Sequence, residues 1–275
     1  MLKYVSGYSG EVVDLYSEHI KGRIKIAGFY DYEWRIDETR RHIGSIINDI
    51  GKNAVSYELT LDFLGNREER AEAANAFFDT IERDLQNKKM GRLYFKGRYI
   101  ECYIAKIITG GRDKRSRMIQ SMATVFVPHP FWVKETTYSF STQQISSNDN
   151  KRYPYQYGYR YANGLTDTYV INEHFADSDF KLTIYGPVVY PQVTIGDHTY
   201  LVYTILQDGE YLEIDSRTGT IYKVTNTGEK INEFHNRKKG MDFFRKIPSG
   251  RMPVKWPNSF GFDLTIYEER SIPKW

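Results

Sequence analysis

Residues 124–132 read TVFVPHPFW, an apolar strand pattern that runs directly into two prolines and two aromatic residues. Proline has no backbone N–H to donate, so it stops a strand in the middle of a sheet. We therefore predict that a β-rich domain ends here, and that the polar stretch 143–152 belongs to a linker. The predicted organisation is an N-terminal domain over 1–135, a linker over 136–152 and a second domain over 153–275, whose last few residues would return to pack on the first domain.

Upstream of this junction, residues 55–63 read VSYELTLDF, in which apolar and polar residues alternate strictly. A period of two predicts a strand with one buried face. Asn66 and Glu69 then have the spacing of a capping box, and the apolar residues after them recur at helical spacing. The sequence predicts a helix over 67–87 whose core-facing stripe consists of Ala74, Phe77, Phe78, Ile81 and Leu85.

A long antiparallel hairpin is predicted from strands over 98–108 and 117–127, with Cys102 as a buried small hydrophobic residue. The glycine-rich tip between the strands is basic, which makes it either a partner contact or an ordinary solvated loop. Its contact candidates are Arg112, Lys114 and Arg115. Nearer the N-terminus, residues 21–30 and 32–35 resemble strands around a turn, and 39–49 are ambiguous between a loop and a short amphipathic helix.

The second half of the chain consists of short alternating segments separated by turn residues, for example over 180–184, 211–215 and 220–224. This spacing is typical of an antiparallel β-sandwich. It is preceded by tyrosines at every second position, which would share one face of a strand and pack either on their own domain or on a subunit or sugar. Candidates for glycan or partner contact are Tyr155, Tyr157, Tyr159, Tyr222 and Trp256.

Composition and motifs limit the possible functions. The 275 residues include 38 basic and 35 acidic ones, and this balance argues against a dedicated nucleic-acid binder. No apolar run is long enough to span a membrane, and the N-terminus lacks the apolar core of a signal peptide, so we expect a protein made in a reducing cytoplasm. We find no catalytic, cofactor or metal motif. A hydrolase with carboxylates distant in sequence stays open as an alternative.

The order of these features is similar to that of the distal tail proteins of siphovirus-type bacteriophages. The resemblance covers most of the chain and begins with the strand over 55–63, the helix over 67–87 and the long hairpin. It continues through seven short motifs, which are GRLYF (91–95), VPHPFW (127–132), YPYQYGY (153–159), IYGP (184–187), YPQV (190–193), GEYLEID (209–215) and IPSG (247–250).

The resemblance implies a mainly β, non-enzymatic virion protein. Its N-terminal domain, with one helix and a long hairpin, would form a hexameric ring, and a galectin-like sandwich would follow. The ring would join the tail tube protein to tail-tip or baseplate proteins and the host-adsorption apparatus, with DNA passing through it. We see no long insertion of the kind that holds receptor-binding proteins. The alternative is a carbohydrate-binding module that contacts host cell-wall glycans.

Overall fold

The structure is a computed structural model that describes residues 2–24, 26–110, 118–142 and 168–274. Its internal contacts divide the chain into two compact units. The first unit comprises residues 1–134 and 269–275, and the second comprises residues 135–268. Strands dominate both units, so the mainly β prediction is confirmed.

The elements of the first unit are mostly strands, with one short helix and one long helix among them. In order they are β1 (Leu2–Val5), β2 (Val12–Asp14), β3 (Ile20–Ile24), α1 (Ile26–Tyr30), β4 (Arg35–Arg40), β5 (Ser45–Gly51), β6 (Val55–Leu64), α2 (Arg67–Gln86), β7 (Gly91–Phe95), β8 (Arg98–Thr109) and β9 (Met118–Val127).

The elements that follow are almost all short strands. They are β10 (Trp132–Phe140), β11 (Tyr169–Asn172), β12 (Asp179–Tyr185), β13 (Val188–Val189), β14 (Gln192–Ile195), β15 (His198–Leu201), β16 (Ile205–Leu206), β17 (Tyr211–Asp215), β18 (Thr220–Val224), β19 (Lys230–Asn232), a 3-10 turn (Phe234–Asn236), β20 (Gly250–Lys255) and β21 (Phe262–Arg270). The boundaries between the two units fall within β10 and β21.

The long strand β8 belongs to two antiparallel ladders of the first unit. Its first half pairs with β7, which continues through β1 to β2. Its second half pairs with β9, which continues through β6 to β3. Leu59, Leu61 and Phe63 of β6 are fully buried and share a core with Phe77 and Ile81 of α2. The alternation predicted for this strand is therefore confirmed where it faces the helix.

The predicted capping box begins α2 as expected. The Asn66 side chain accepts hydrogen bonds from the backbone N–H groups of Glu68 and Glu69, each at 2.9 Å. In return, the Glu69 carboxylate accepts from the Asn66 N–H at 2.9 Å. The expectation for Leu85 is wrong, because its side chain is 38% exposed. In this last helical turn the neighbouring Asp84 is buried instead.

Residues 21–51 differ most from the expectation. The strand predicted over 21–30 ends at Ile24 and is followed by the helix α1, and of 32–35 only Arg35 lies in a strand. Residues 39–49, expected as a loop or helix, lie in the hairpin of β4 and β5. Gly44 has a φ of +75° in the turn between these strands, a conformation that glycine adopts at little cost.

The predicted linker also begins too early. β10 extends to Phe140, so residues 136–140 of the predicted linker lie in a strand. The prolines interrupt the strand pattern only briefly, because Trp132 returns at once to the core of the first unit with no exposed surface. The remaining predicted linker from residue 143 onward lies outside the described residues.

The second unit has the two-sheet arrangement expected of a β-sandwich. One antiparallel sheet has the strand order β19-β18-β17-β12-β21-β10, and a second has the order β11-β20-β14-β15. The buried faces of both sheets contribute to one core, which includes Leu182, Ile214 and Leu264 from the first sheet and Val193 and Val254 from the second. The hairpin of β17 and β18 predicted from the sequence is confirmed.

Candidate interaction surfaces

Most of the predicted contact residues lie outside the part of the chain that the structure describes. Arg112, Lys114 and Arg115 belong to segment 111–117, and Tyr155, Tyr157 and Tyr159 belong to segment 143–167. Their roles stay predictions. The candidate surfaces described below come from other residues.

Trp256 contacts aromatic residues of its own unit. The Trp256 ring packs edge-on against Phe140 and Phe262, with centroids 5.5 and 5.3 Å away. Its indole N–H donates to the Phe260 carbonyl oxygen at 3.1 Å. Trp256 is thus engaged with the core of its own unit, and a role in glycan stacking stays a prediction. Tyr222 lies half-buried on β18.

The hairpin of β4 and β5 is amphipathic. Ile36 pairs with Ile50 across the two strands, and Glu38 pairs with Ile47 after a bulge. Directly paired residues share a face, as do residues two apart on one strand. Ile36, Ile47 and Ile50 therefore lie on one face of the hairpin, together with Glu38, Arg40 and Ser45, and we call it the isoleucine face.

The opposite face of the hairpin is mostly polar, with Ile46 as its apolar member. Arg35 forms an ion pair with Asp49 at 3.0 Å, and the Asn48 amide donates to Thr39 Oγ1 at 2.8 Å. Among the described residues, β4 and β5 pair only with each other, and the three residues of the isoleucine face are 54–56% exposed. The hairpin thus exposes its apolar face to solvent in the isolated chain.

A lysine fixes the base of this hairpin. The Lys52 ammonium lies 5.6, 5.0 and 4.7 Å from the ring centroids of Tyr32, Trp34 and Phe131. It also donates to the Pro130 carbonyl oxygen at 3.3 Å. A cation facing several aromatic rings is stabilised by their quadrupoles, and the accompanying loss of hydration lowers the pKa of Lys52. We call these five residues the lysine clamp, since they tie both ends of the hairpin to the chain that follows β9.

The first unit also has a groove of about 580 Å³ on the outer face of the ladder β3-β6-β9-β8. Arg23 pairs with Thr60, Thr60 with Met122, and Met122 with Ile108, so these four side chains share the face that points away from the core. Ile108 and Met122 are 53% and 46% exposed. The floor of the groove is therefore apolar.

Polar groups surround this apolar floor. Arg23 forms an ion pair with the largely buried Asp62, and the Gln120 amide donates to the same carboxylate at 2.9 Å. Glu58 lines the groove beside them and is exposed. An apolar centre with charged residues at its edge is the usual composition of a protein-binding surface.

The comparisons with known proteins concern the fold. No protein-family model and no curated protein matches the chain. Among solved structures, it is similar to the Dit protein of phage SPP1, described as a paradigm of the hub adsorption apparatus in phages that infect Gram-positive hosts. That match has 11% identity and a TM-score of 0.56, and covers 98% of this chain and 99% of that one.

Two further matches are chains from the baseplate of phage p2 in its activated conformation, with Ca and with Sr. They are 13% and 12% identical, each with a TM-score of 0.62, and cover 99% of this chain and 100% of theirs. The chain has the fold of these phage hub and baseplate proteins. The resemblance to distal tail proteins is therefore confirmed at the level of the fold, over nearly the whole chain.

Clusters of metal-binding side chains are absent from the described ranges, 2–24, 26–110, 118–142 and 168–274. No group of three or more His, Cys, Asp or Glu side chains there is arranged to hold a metal ion. No helix among those residues is long and apolar enough to cross a membrane. Cys102 is fully buried as predicted, and burial raises the pKa of its thiol to about 12, which keeps it protonated and unreactive at neutral pH.

The sequence-based reasoning missed the hairpin, the lysine clamp and the groove. The two strands of the hairpin could have been found from the cluster Ile46, Ile47 and Ile50 after Gly44, because β-branched residues favour strands. The clamp and the groove offered no local signal. Both are assembled from residues that lie far apart in the sequence.

Proposed function

We propose that this chain is a structural virion protein, a distal tail protein that forms a hexameric ring at the tip of a phage tail. The ring joins the tail tube to the tail-tip or baseplate proteins and to the host-adsorption apparatus. Its partners are further copies of itself, the tail tube protein and tail-tip proteins, with receptor-binding proteins as a further candidate. The chain is made in the bacterial host cytoplasm and has no catalytic role.

The observation that carries this proposal is the exposed isoleucine face, in a chain with the fold of phage hub proteins. Monomeric proteins seldom expose such groups of apolar side chains, and where they do the surface usually binds a partner. A closed ring also needs two different, complementary patches on each copy. The isoleucine face and the groove on the ladder are two such patches in the first unit.

The proposal is tested by measuring the molar mass of the purified chain by light scattering during size-exclusion chromatography. A hexamer of 32.3 kDa subunits has a mass of about 194 kDa, six times the subunit mass. A chain that stays monomeric over the whole accessible concentration range would contradict a self-assembling ring.

A second candidate function is glycan binding by the second unit. Tyr190 and Tyr203 are 54% and 51% exposed and lie 5.8 Å apart in an edge-to-face pair. Tyr190 has a φ of +52°, which a bulky residue adopts only at an energetic cost. Exposed aromatic rings held in this way can stack on sugar rings.

An array of cell-wall glycans tests this function. Binding that is lost in Tyr190→Ala and kept in Tyr169→Ala would support it, and an array without any binding would refute it.

A further inference from the structure

We propose that the hairpin of β4 and β5 of one copy packs, through its isoleucine face, into the groove on the outer face of β6, β8 and β9 of the next copy. This inference rests on the proposed ring and names the two surfaces that build it. It follows from the exposure of both surfaces, their dimensions, their charges and the position of the hairpin base.

The hairpin needs a partner for its apolar face. An isolated two-stranded hairpin is at best marginally stable in water, because it cannot bury enough apolar surface. The strands β4 and β5 form a sheet of their own, and the isoleucine face is more than half exposed. The polar face, with its Arg35–Asp49 ion pair, is suited to solvent. Burying the isoleucine face against a partner is therefore the main way in which this hairpin can become more stable.

The groove offers a matching surface. Ile108 and Met122 lie side by side on β8 and β9 and remain about half exposed, although the opposite faces of these strands are buried in the core. Methionine is flexible and adapts to partners of varied shape. Two sheets that pack face to face lie about 10 Å apart with interdigitating side chains, so the isoleucines can fill the space above Met122.

The length of the hairpin fits the length of the ladder that carries the groove. The strands β4 and β5 have six and seven residues, a length of about 20 Å at the usual rise per residue. The paired strands β6 and β9 have ten residues each, a length of about 34 Å. The hairpin can thus lie along the ladder without extending beyond it.

The charges are complementary in one orientation. Glu38 and Arg40 lie on the same face of the hairpin as the isoleucines, because they alternate with Thr39 along β4. Arg23 and Glu58 line the groove. The Arg23 side chain is 62% exposed beside its ion pair with Asp62. Glu38 can therefore face Arg23 while Arg40 faces Glu58, whereas the reversed orientation brings like charges together. Such pairs select the orientation of an interface more than they strengthen it.

The occupant of the groove is a second copy because the clamp restrains the hairpin of the same chain. Lys52 ties the hairpin base to Pro130 and Phe131, and in this position the isoleucine face stays exposed. Hairpin and groove are different surfaces of the first unit, so the contact is head-to-tail. A head-to-tail contact repeats from copy to copy and closes into a ring when the rotation allows.

The test uses one acidic substitution on each surface and then mixes the two variants. Ile47→Asp damages the hairpin but leaves the groove intact, and Met122→Asp does the reverse. Each alone should weaken self-association at least about a hundred-fold, because a charge would be buried without a partner. Mixed together, the two variants retain one intact hairpin and one intact groove, so they should form a heterodimer that cannot grow further.

Matched controls separate this inference from a loss of folding. Ile46→Asp places the same charge on the polar face of the hairpin, and Val12→Asp places it on an exposed strand elsewhere in the first unit. Both should assemble like the wild type, and all four variants should keep the wild-type far-UV circular dichroism spectrum. Molar mass by light scattering is the measurement.

The possible results separate a failure of the ring from a failure of the hairpin–groove contact. A monomeric wild-type chain overturns the ring and this inference together. A wild-type ring with unimpaired Ile47→Asp or Met122→Asp leaves the ring standing and overturns the inference. Impaired single variants that do not form a heterodimer on mixing show that the hairpin binds elsewhere, which also overturns it. If a single variant loses its folded spectrum, disulfide cross-linking between Ile47→Cys and Met122→Cys chains decides, and no cross-link overturns the inference.

Discussion

At the scale of single residues, Asp84 ties the start of the chain to α2. Its carboxylate accepts hydrogen bonds from the hydroxyls of Tyr4 at 2.7 Å and Ser6 at 2.6 Å. It also accepts from the backbone N–H groups of Gly7 and Tyr8, at 3.2 and 2.9 Å. A buried carboxylate with four donors is fully satisfied, whereas its removal leaves those donors without an acceptor.

We therefore expect Asp84→Ala to lower the free energy of unfolding by about 3 kcal/mol, because several donors would stay buried and unsatisfied. Asp79→Ala is the matched control, since Asp79 is exposed on the same helix and its loss should change stability by less than about 0.5 kcal/mol. Urea denaturation followed by tryptophan fluorescence measures both. Equal midpoints for the two variants would show that the Asp84 network contributes little.

At the scale of elements, the sequence predicts those parts whose apolar period is regular. β6 and α2 are predicted almost to the residue because Leu59, Leu61 and Phe63 alternate, and because the capping box at Asn66 marks the helix start. Leu85 is the exception, since the last turn buries the polar Asp84 and the helical period alone cannot show this.

The sequence does not predict the hairpin of β4 and β5, and the reason is physical. Its bulge between Asp37 and Glu38 breaks the period of two, although it keeps Ile36, Ile47 and Ile50 on one face. The spacing of Ile46, Ile47 and Ile50 also fits one face of a helix. The lysine clamp lies beyond any local pattern, because Phe131 reaches Lys52 only through the fold. The surfaces proposed for assembly therefore depend on tertiary structure.

The lysine clamp should control the mobility of this hairpin. We expect Lys52→Met to increase amide hydrogen exchange over 35–51, because the hairpin base would lose its cation–aromatic contacts, worth about 1 kcal/mol or more in total. Lys52→Arg keeps a cation among the rings and should exchange nearly as slowly as the wild type. Exchange in Lys52→Met as slow as in the wild type would mean that the strands hold their position without the clamp.

At the scale of the whole molecule, the proposed assembly depends on surfaces that the fold exposes. Antiparallel sheets in both units and the likeness to phage hub and baseplate proteins over 98–99% of the chain establish the fold. A shared fold does not by itself define a function, which depends on surfaces. For this chain we propose that those surfaces are the isoleucine face and the groove of the first unit.

The most direct test of the ring is electron cryo-microscopy of the purified assembly. We predict class averages with six-fold symmetry and an open centre, and a reconstruction in which the hairpin of β4 and β5 from each copy contacts the first unit of its neighbour. If the wild-type chain instead gives only monomers or two-fold dimers, the proposed tail-tip hub is contradicted.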